Sequence, residues 1–169
     1  MGSRIEAVIY DGADRPAGLS PNLRVVSLGG GFGLTMLPVT DAAAEALVET
    51  EVGDNRISPD WPLLRQPVTA LARQMSAGRR ALYIVGETFA GEGIQEAIGW
   101  SDGKLMYAPS GTCDLEEDLE PGYHLVPRWD GAINTGLRVL GVHAVPDTDE
   151  YETVGLTRRR HTEDWLAER

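Results

Sequence analysis

Apolar positions near the start of the chain occur in short runs that predict strands. Residues 5–10 and 23–28 are apolar runs separated by a loop rich in Gly, Pro and Asp. After the cluster Gly29, Gly30, Gly31 and Gly33, residues 34–39 again have strand character. A glycine cluster between two strands is typical of a bulge or turn. The N-terminal part of the chain therefore predicts a sheet.

The middle of the chain predicts a buried strand followed by a hairpin. Residues 82–85 are apolar on both faces and continue to residue 89, which is typical of a strand in the middle of a sheet. Apolar and polar residues alternate over 94–100 and place Ile94, Ile98 and Trp100 on one face. The turn Ser101-Asp102-Gly103 then leads into residues 105–108, which predict the second strand of the hairpin.

Helical periodicity appears in four places. Thr40-Asp41 predicts the start of one helix. Residues 67–78 have apolar positions at i, i+3, i+4 and i+7, with proline at the start and glycine at the end. A third helix is predicted from Asp130 to residue 140, and a short last helix is capped by Thr162. We expect an α+β fold, with a mainly antiparallel sheet and three or four helices packed on it.

Length and composition predict a single α+β domain over residues 1–169. A chain of this length with 42% hydrophobic residues is large enough to form a packed core. It contains no apolar run of membrane-spanning length and no secretory leader pattern. We therefore expect no membrane association and a cytoplasmic location, and the single Cys113 is compatible with a reducing compartment.

The charge balance determines which partners are expected. Asp and Glu outnumber Lys and Arg by 26 to 15, which gives a formal net charge of −11. A surface of this sign repels the phosphates of nucleic acid, so we expect no nucleic-acid partner. A basic protein is the natural electrostatic complement, although net charge also serves solubility alone. The oligomeric state stays open.

The segment 109–127 has no clear periodicity and predicts an exposed acidic loop. The chain has no Lys or Arg between Lys104 and Arg128, and this segment lies between those two residues. Such a loop can steer a basic partner, while neighbouring aromatic and leucine side chains can be the buried anchors of the contact. The predicted partner-binding residues are Tyr107, Asp114, Leu115, Glu116, Glu117, Asp118, Leu119, Glu120 and Tyr123.

The sequence offers little for metal, cofactor or nucleophilic chemistry. The glycine cluster lacks both the Gly-Lys-Ser/Thr and the G-x-G-x-x-G patterns of phosphate-binding loops. His124, His143 and His161 are far apart, and none has a second ligand at zinc-motif spacing. No G-x-S-x-G occurs, and an acidic surrounding disfavours a reactive Cys113 thiolate. We expect no metal and no cofactor.

One pair of carboxylates is a candidate for acid/base catalysis. Glu87 and Glu92 flank a predicted turn and can face each other across it, and paired carboxylates are the groups that many hydrolases use. Exposed charges at a strand end that prevent aggregation are the alternative explanation. A small hydrolase-type enzyme using this pair is therefore the alternative to a non-catalytic binding protein.

Three stretches of the chain resemble a group of small bacterial proteins of the actinobacterial type. The first matches F-x-G-x-G-x-Q and a later Trp, here Phe89, Gly91, Gly93, Gln95 and Trp100. The second is Ile133-Asn134 with residues 137–142. The third begins at Asp149 and matches G-L-x-x-x-R at residues 155–160 and E-D-W at residues 163–165. The likeness covers mainly residues 81–165, and its motifs are typical of scaffold rather than of catalytic machinery.

This resemblance implies an immunity protein, which binds a cognate toxin and blocks it so that the producing cell survives. An acidic inhibitor suits a toxin with a basic active site. We therefore expect a non-catalytic, antitoxin-like protein that blocks a basic partner by occlusion. Segment 109–127, which is longer and more acidic than the corresponding connection in the group, is where we expect partner specificity.

Overall fold

A computed structural model describes residues 2–47, 56–58, 60–89, 92–113, 123–125 and 130–167, without the side chains of 89, 92 and 123–125. The strands are Ser3–Asp11 (β1), Val26–Ser27 (β2), Leu34–Pro38 (β3), Arg56–Ser58 (β4), Trp61–Arg65 (β5), Arg80–Phe89 (β6), Glu92–Ser101 (β7), Lys104–Cys113 (β8) and Tyr123–Leu125 (β9). The α-helices are Asp41–Leu47 (α1), Gln66–Met75 (α2), Ala132–Val139 (α3) and Glu150–Thr153 (α4), followed by 3-10 helices at Leu156–Arg158 and Thr162–Leu166.

The main sheet has the strand order β2-β3-β1-β6-β7-β8-β9, and β4 pairs with β5 in a separate hairpin. Neighbouring strands of the main sheet are antiparallel except β8 and β9, which are parallel. The strand predicted from residue 82 is β6 in the middle of the sheet, and the predicted hairpin joins β7 to β8. The prediction of a single α+β domain with a mainly antiparallel sheet and helices packed on it is confirmed.

Both faces of the sheet are covered, which explains why the central strands β1 and β6 are mainly apolar. On one face, Ile5 and Ile9 of β1 pack with α3 and the C-terminal segment. On the other face, Val8 and Tyr10 pack with α2 and the residues around it. A strand buried on both sides cannot alternate apolar with polar residues, so β1 and β6 are near-continuous apolar runs.

Helix α3 approaches the sheet closely at Gly136. A Cβ atom on this residue would lie 2.7 Å from Leu82 Cδ1 and 3.3 Å from Tyr107 Cε1. Leu82 is fully buried, so its side chain has little room to move away. Glycine is a poor helix former, and here the close packing of helix on strand requires it.

The predicted strand at residues 23–28 is wrong in extent, because only Val26–Ser27 pairs with β3. The residues before β2 are held by local contacts instead of a ladder. The Leu23 backbone N–H donates to Ser20 O, and the Arg15 guanidinium donates to the Leu23 carbonyl. A turn and a side chain therefore supply hydrogen bonds that a neighbouring strand would otherwise make.

The prediction of an exposed loop over 109–127 is wrong at its start and near its end. β8 continues through Pro109 to Cys113, which is buried, and β9 occupies Tyr123–Leu125. Two residues of β8, Ala108 and Pro109, oppose a single residue of β7 in a β-bulge. A bulge tolerates a proline without breaking the strand, which is why the proline did not end β8.

Two predicted helix caps are replaced by other residues, and the β4–β5 hairpin and α4 are among the elements that were not predicted. α3 has Gly131 rather than Asp130 as its N-cap, and the last helix has His161 rather than Thr162. The Thr162 Oγ1 atom accepts the Glu6 backbone N–H at 2.9 Å instead. The β4–β5 hairpin and α4 are both short, and short elements carry too few apolar positions to show a period.

The close approach at Gly136 predicts that the effect of Gly136→Ala on the free energy of unfolding changes sign when Leu82 is also replaced by alanine. We expect Gly136→Ala alone to destabilise the fold by about 1 kcal/mol, because overpacking exceeds the gain in helix propensity. In a Leu82→Ala background, the same substitution should become stabilising, since the space for the added methyl group is then present. Urea denaturation of the four proteins measures this. Destabilisation of equal size in both backgrounds would contradict the packing explanation.

Candidate functional site

A cavity of about 170 Å³ lies at one end of the sheet, on the face covered by α3. Its floor consists of two cross-strand rows. Ser3 pairs with Thr88, which pairs with Gly93, and in the next row Ile5, Gly86, Gln95 and Thr112 lie side by side. Directly opposite residues of antiparallel strands share a face, so both rows face the cavity together. The cavity is thus formed by the beginnings of β1 and β7 and the ends of β6 and β8.

The beginning of α3 forms one wall, and side chains of the sheet hold it in place. The Ala132 N–H donates to Thr112 Oγ1 at 2.9 Å, and the Ile133 N–H donates to Gln95 Oε1 at 3.1 Å. Gly131 has no side chain to cap the helix, so these two sheet residues accept N–H groups that the first turn leaves without helical partners. These two N–H groups are consequently not available to a ligand.

Asn134 connects α3 to the next wall of the cavity. This residue is 2% exposed, and its Oδ1 accepts the Tyr151 N–H at 2.8 Å. Its Nδ2 donates to Asp149 Oδ2 at 3.2 Å, while Asp149 Oδ1 accepts the Glu152 N–H at 2.8 Å. Asp149 is therefore the N-cap of α4, and one buried amide fixes α4 and Tyr151 beside the cavity.

Two consecutive arginines, Arg159 and Arg160, complete the lining. Their backbone is attached to the edge of β1, where the Arg4 N–H donates to the Arg160 carbonyl at 2.9 Å. Two residues further on, Thr162 accepts the Glu6 N–H. Because β3 pairs with β1 only from Ala7 onward, the C-terminal segment has access to this first part of the strand. Among the described residues, the charged members of the lining are these two arginines and Asp149.

The structure accounts for Tyr107 as part of the fold. This side chain is half-buried against α3, and its hydroxyl donates to the Ala132 carbonyl at 3.1 Å. Burial raises the pKa of the Tyr107 hydroxyl, although nearby Ser110 opposes the shift. The other predicted partner-binding residues fall outside the described part: Asp114, Leu115, Glu116, Glu117, Asp118, Leu119 and Glu120 entirely, and Tyr123 in its side chain.

Glu87 and Glu92 lie on the face of the sheet opposite the cavity. Glu87 pairs with Ile94, and Phe89 pairs with Glu92, so the two glutamates are diagonal neighbours in the register. Glu87 makes an ion pair with Arg4, with 3.5 Å between Oε1 and Nε. The side chain of Glu92 lies outside the described residues. The cavity itself is lined by the alternate residues, Gly86, Thr88, Gly93 and Gln95.

Two other carboxylates, Glu6 and Glu96, are buried on this second face and hold the β4–β5 hairpin. Glu96 is fully buried, and its Oε2 accepts the Leu64 N–H at 2.8 Å and the Leu63 N–H at 3.1 Å. Glu6 is 1% exposed and contacts Arg65 of the hairpin at 3.0 Å. Both carboxylates therefore bind β5 to the sheet.

The surroundings of Glu6 shift the pKa of two buried groups. Burial raises the pKa of the Glu6 carboxyl above its ordinary value, although the Tyr83 hydroxyl, Arg65 and Arg4 oppose the shift. The Tyr83 hydroxyl donates to Glu6 Oε1 at 2.7 Å. Burial and the adjacent Glu6 raise the pKa of Tyr83 far above its ordinary value. Glu6, Tyr83 and Arg65 thus form a structural network beneath the β4–β5 hairpin.

The described residues contain neither a group of metal ligands nor a membrane-spanning helix. Among the described residues, no three His, Cys, Asp or Glu side chains are grouped closely enough to hold a metal ion. No helix in this part of the chain is both long and apolar enough to cross a membrane.

The chain was also compared with known protein families, curated proteins and solved structures, and none of them matches it.

Sequence reasoning did not predict the cavity, although it had singled out several of its residues. Gly93, Gln95, Asn134, Asp149 and Arg160 all belong to the three stretches that carry the resemblance described above. Those stretches are far apart in the chain and converge on this one cavity. A polar residue at an inward position, such as Gln95 in an alternating strand, was the available signal.

The capping of α3 by the sheet predicts that two substitutions of Thr112 differ in their effect on the stability of the fold. Thr112→Val keeps the shape but leaves the buried Ala132 N–H without an acceptor, which should cost about 1–3 kcal/mol. Thr112→Ser keeps the hydroxyl acceptor and should retain most of the stability. Denaturant unfolding measures the stability of both variants. Equal losses of stability would show that the hydrogen bond to Thr112 does not cause the effect.

The raised pKa of Glu6 predicts the sign of a pH effect. The folded chain holds this proton more tightly than the unfolded chain does, so ionisation of Glu6 disfavours folding as the pH rises above about 4.3. Glu6→Gln cannot ionise. We therefore expect the stability of the native chain, relative to this variant, to increase as the pH is lowered from about 8 to about 4.5. Denaturation curves across that range test this, and a relative decrease at low pH would indicate a lowered pKa instead.

Proposed function

We propose that this chain is a non-catalytic binding protein that blocks a basic partner protein by covering it, as an immunity protein covers its toxin. The observation that supports the proposal is the distribution of charge. The chain carries a formal net charge of −11, and the stretch between Lys104 and Arg128 contains Asp114, Glu116, Glu117, Asp118 and Glu120 without a basic residue. Such a concentration of one sign accelerates encounter with a surface of the opposite sign.

The two points at which this acidic segment joins the described residues favour the cavity end of the sheet as the binding surface. The described chain stops at Cys113, which lines the cavity, and resumes at β9. β9 pairs with the last residues of β8, from Gly111 to Cys113. Both attachment points of the acidic segment therefore lie beside Thr112 and Cys113, which line the cavity. A partner attracted by the segment would meet this end of the sheet first.

Inhibition by occlusion also agrees with how the buried carboxylates are used. Glu6 and Glu96 hold the β4–β5 hairpin, and Glu150 makes a two-oxygen ion pair with Arg138 at 2.8 and 3.2 Å. Burial opposes ionisation of Glu150, but Arg138 outweighs it and lowers the pKa of this carboxyl. These groups stabilise the fold, and an inhibitor that acts by covering a surface needs no further reactive group.

An enzyme that uses Glu87 and Glu92 stays the alternative proposal. The register supports it in so far as the two residues share a face as diagonal neighbours. The ion pair of Glu87 with Arg4 gives one member of the pair a structural explanation. Hydrolysis that is lost in both Glu87→Gln and Glu92→Gln, with the fold intact, would favour the enzyme over the inhibitor.

Neutralising the acidic segment should slow association with the partner. The tagged full chain is first used to capture the partner from a native cell lysate at low salt, and the partner is then purified. We expect the variant Glu116→Gln, Glu117→Gln, Asp118→Asn to associate about tenfold more slowly at low salt and with a weaker salt dependence, since long-range attraction acts on the association rate. Surface plasmon resonance at several salt concentrations measures both quantities.

A matched control separates the location of charge from its total amount. The variant Asp14→Asn, Glu45→Gln, Asp60→Asn removes the same number of charges from exposed positions outside the segment. Its association rate should stay close to that of the native chain. Equal rates for the native chain and the segment variant would remove the segment from the proposed interface.

A further inference from the structure

We propose that the cavity at the end of the sheet binds a small molecule carrying a carboxylate or phosphate group, and that Arg159 and Arg160 contact this group. Binding of such a molecule needs no protein partner. It therefore adds a ligand to the proposed function without depending on it.

The first argument is the sign of the charge around the cavity. In a chain with a net charge of −11, the charged side chains that the described residues contribute to this lining belong to two arginines and a single carboxylate. Both oxygens of that carboxylate, Asp149, accept hydrogen bonds within the fold, from Asn134 and from the Glu152 N–H. The described part of the lining thus carries more arginine than carboxylate groups, and a concave site with partly apolar walls strengthens the attraction of an anion to them.

The second argument is the chemistry of the neutral lining. Ser3, Thr88 and Tyr151 contribute hydroxyl groups, and Ile5, Ile133 and Leu156 contribute apolar surface. A few polar groups among apolar walls are typical of sites for small ligands. Arginine suits an oxyanion in particular, because its planar guanidinium can donate two parallel hydrogen bonds to a carboxylate or phosphate.

The third argument is that the site is already formed and limits the size of its ligand. The backbone of Arg160 is fixed to β1 through the Arg4 N–H, and Asn134 fixes Tyr151. A cavity of about 170 Å³ has room for on the order of ten waters, which corresponds to a small organic acid or a short phosphate ester. The first two N–H groups of α3 are bound to the sheet, so the arginines must supply most of the attraction.

The test is a titration of the full chain with inorganic phosphate, acetate and succinate, followed by thermal unfolding and calorimetry. Ionic strength is held constant with chloride, because added salt stabilises an acidic protein by screening alone. A ligand that binds the folded state raises the unfolding temperature with saturation. We expect at least one of these anions to do so, and comparison of phosphate with the carboxylates shows which head group the site prefers.

Variants assign the binding to the cavity. Arg159→Gln and Arg160→Gln should each weaken the affinity about tenfold or more, and Thr88→Leu, which fills space and keeps the charge, should weaken it as well. Arg158→Gln removes the same charge from a neighbouring residue that does not line the cavity and should leave the affinity within about twofold of the native value.

Unfolding without ligand shows which variants are folded, and two independent positions keep the test decisive if one of them is not. The proposal is overturned if none of the anions binds with saturation. It is also overturned if Arg158→Gln weakens binding as much as the two lining arginines do, or if folded variants of the lining bind as tightly as the native chain.

Discussion

The capping of α3 by two side chains of the sheet is the interaction on which the cavity end of the sheet depends. Gly131 cannot cap the helix itself, so Gln95 and Thr112 accept the N–H groups of Ile133 and Ala132. This places Asn134 where it binds both Asp149 and the backbone of Tyr151, and thus determines where α4 lies. The cavity is the space that remains between the capped helix, α4 and the sheet. Without these hydrogen bonds, the N–H groups at the start of α3 and the buried Asn134 amide would be left unpaired.

The fold was predictable from the sequence wherever burial imposes a period. β1, β6 and the β7–β8 hairpin follow from apolar runs and a turn, and α2 follows from its apolar stripe between proline and glycine. Elements whose hydrogen bonds come from distant residues were not predictable in this way. β8 crosses Pro109 through a bulge, and the N-cap of α3 carries no capping side chain because its acceptors lie on other strands. Local patterns cannot show partners that only the tertiary structure supplies.

The candidate site was predictable only in part, for a related reason. Charge identified the acidic segment directly, since composition is a local property of the sequence. The cavity instead joins residues from β1, α3 and the C-terminal segment, and its two arginines belong to a basic run that by itself is typical of a solvated surface. Tyr107, a predicted anchor, lies against α3 because Gly136 lets the helix come close. The cavity and the points at which the acidic segment joins the described residues lie at the same end of the sheet, which we propose is the binding end of the molecule.

The most direct test of this claim is to map binding onto individual residues by NMR. Amide and arginine side-chain resonances of the labelled full chain are followed while phosphate is added at constant ionic strength. We expect saturable shifts at Arg159, Arg160, Ser3 and Thr88, and little change in the β4–β5 hairpin on the other face. Small, unsaturable shifts spread over the surface, or shifts centred away from the cavity, would contradict the assignment of this end of the sheet as a binding site.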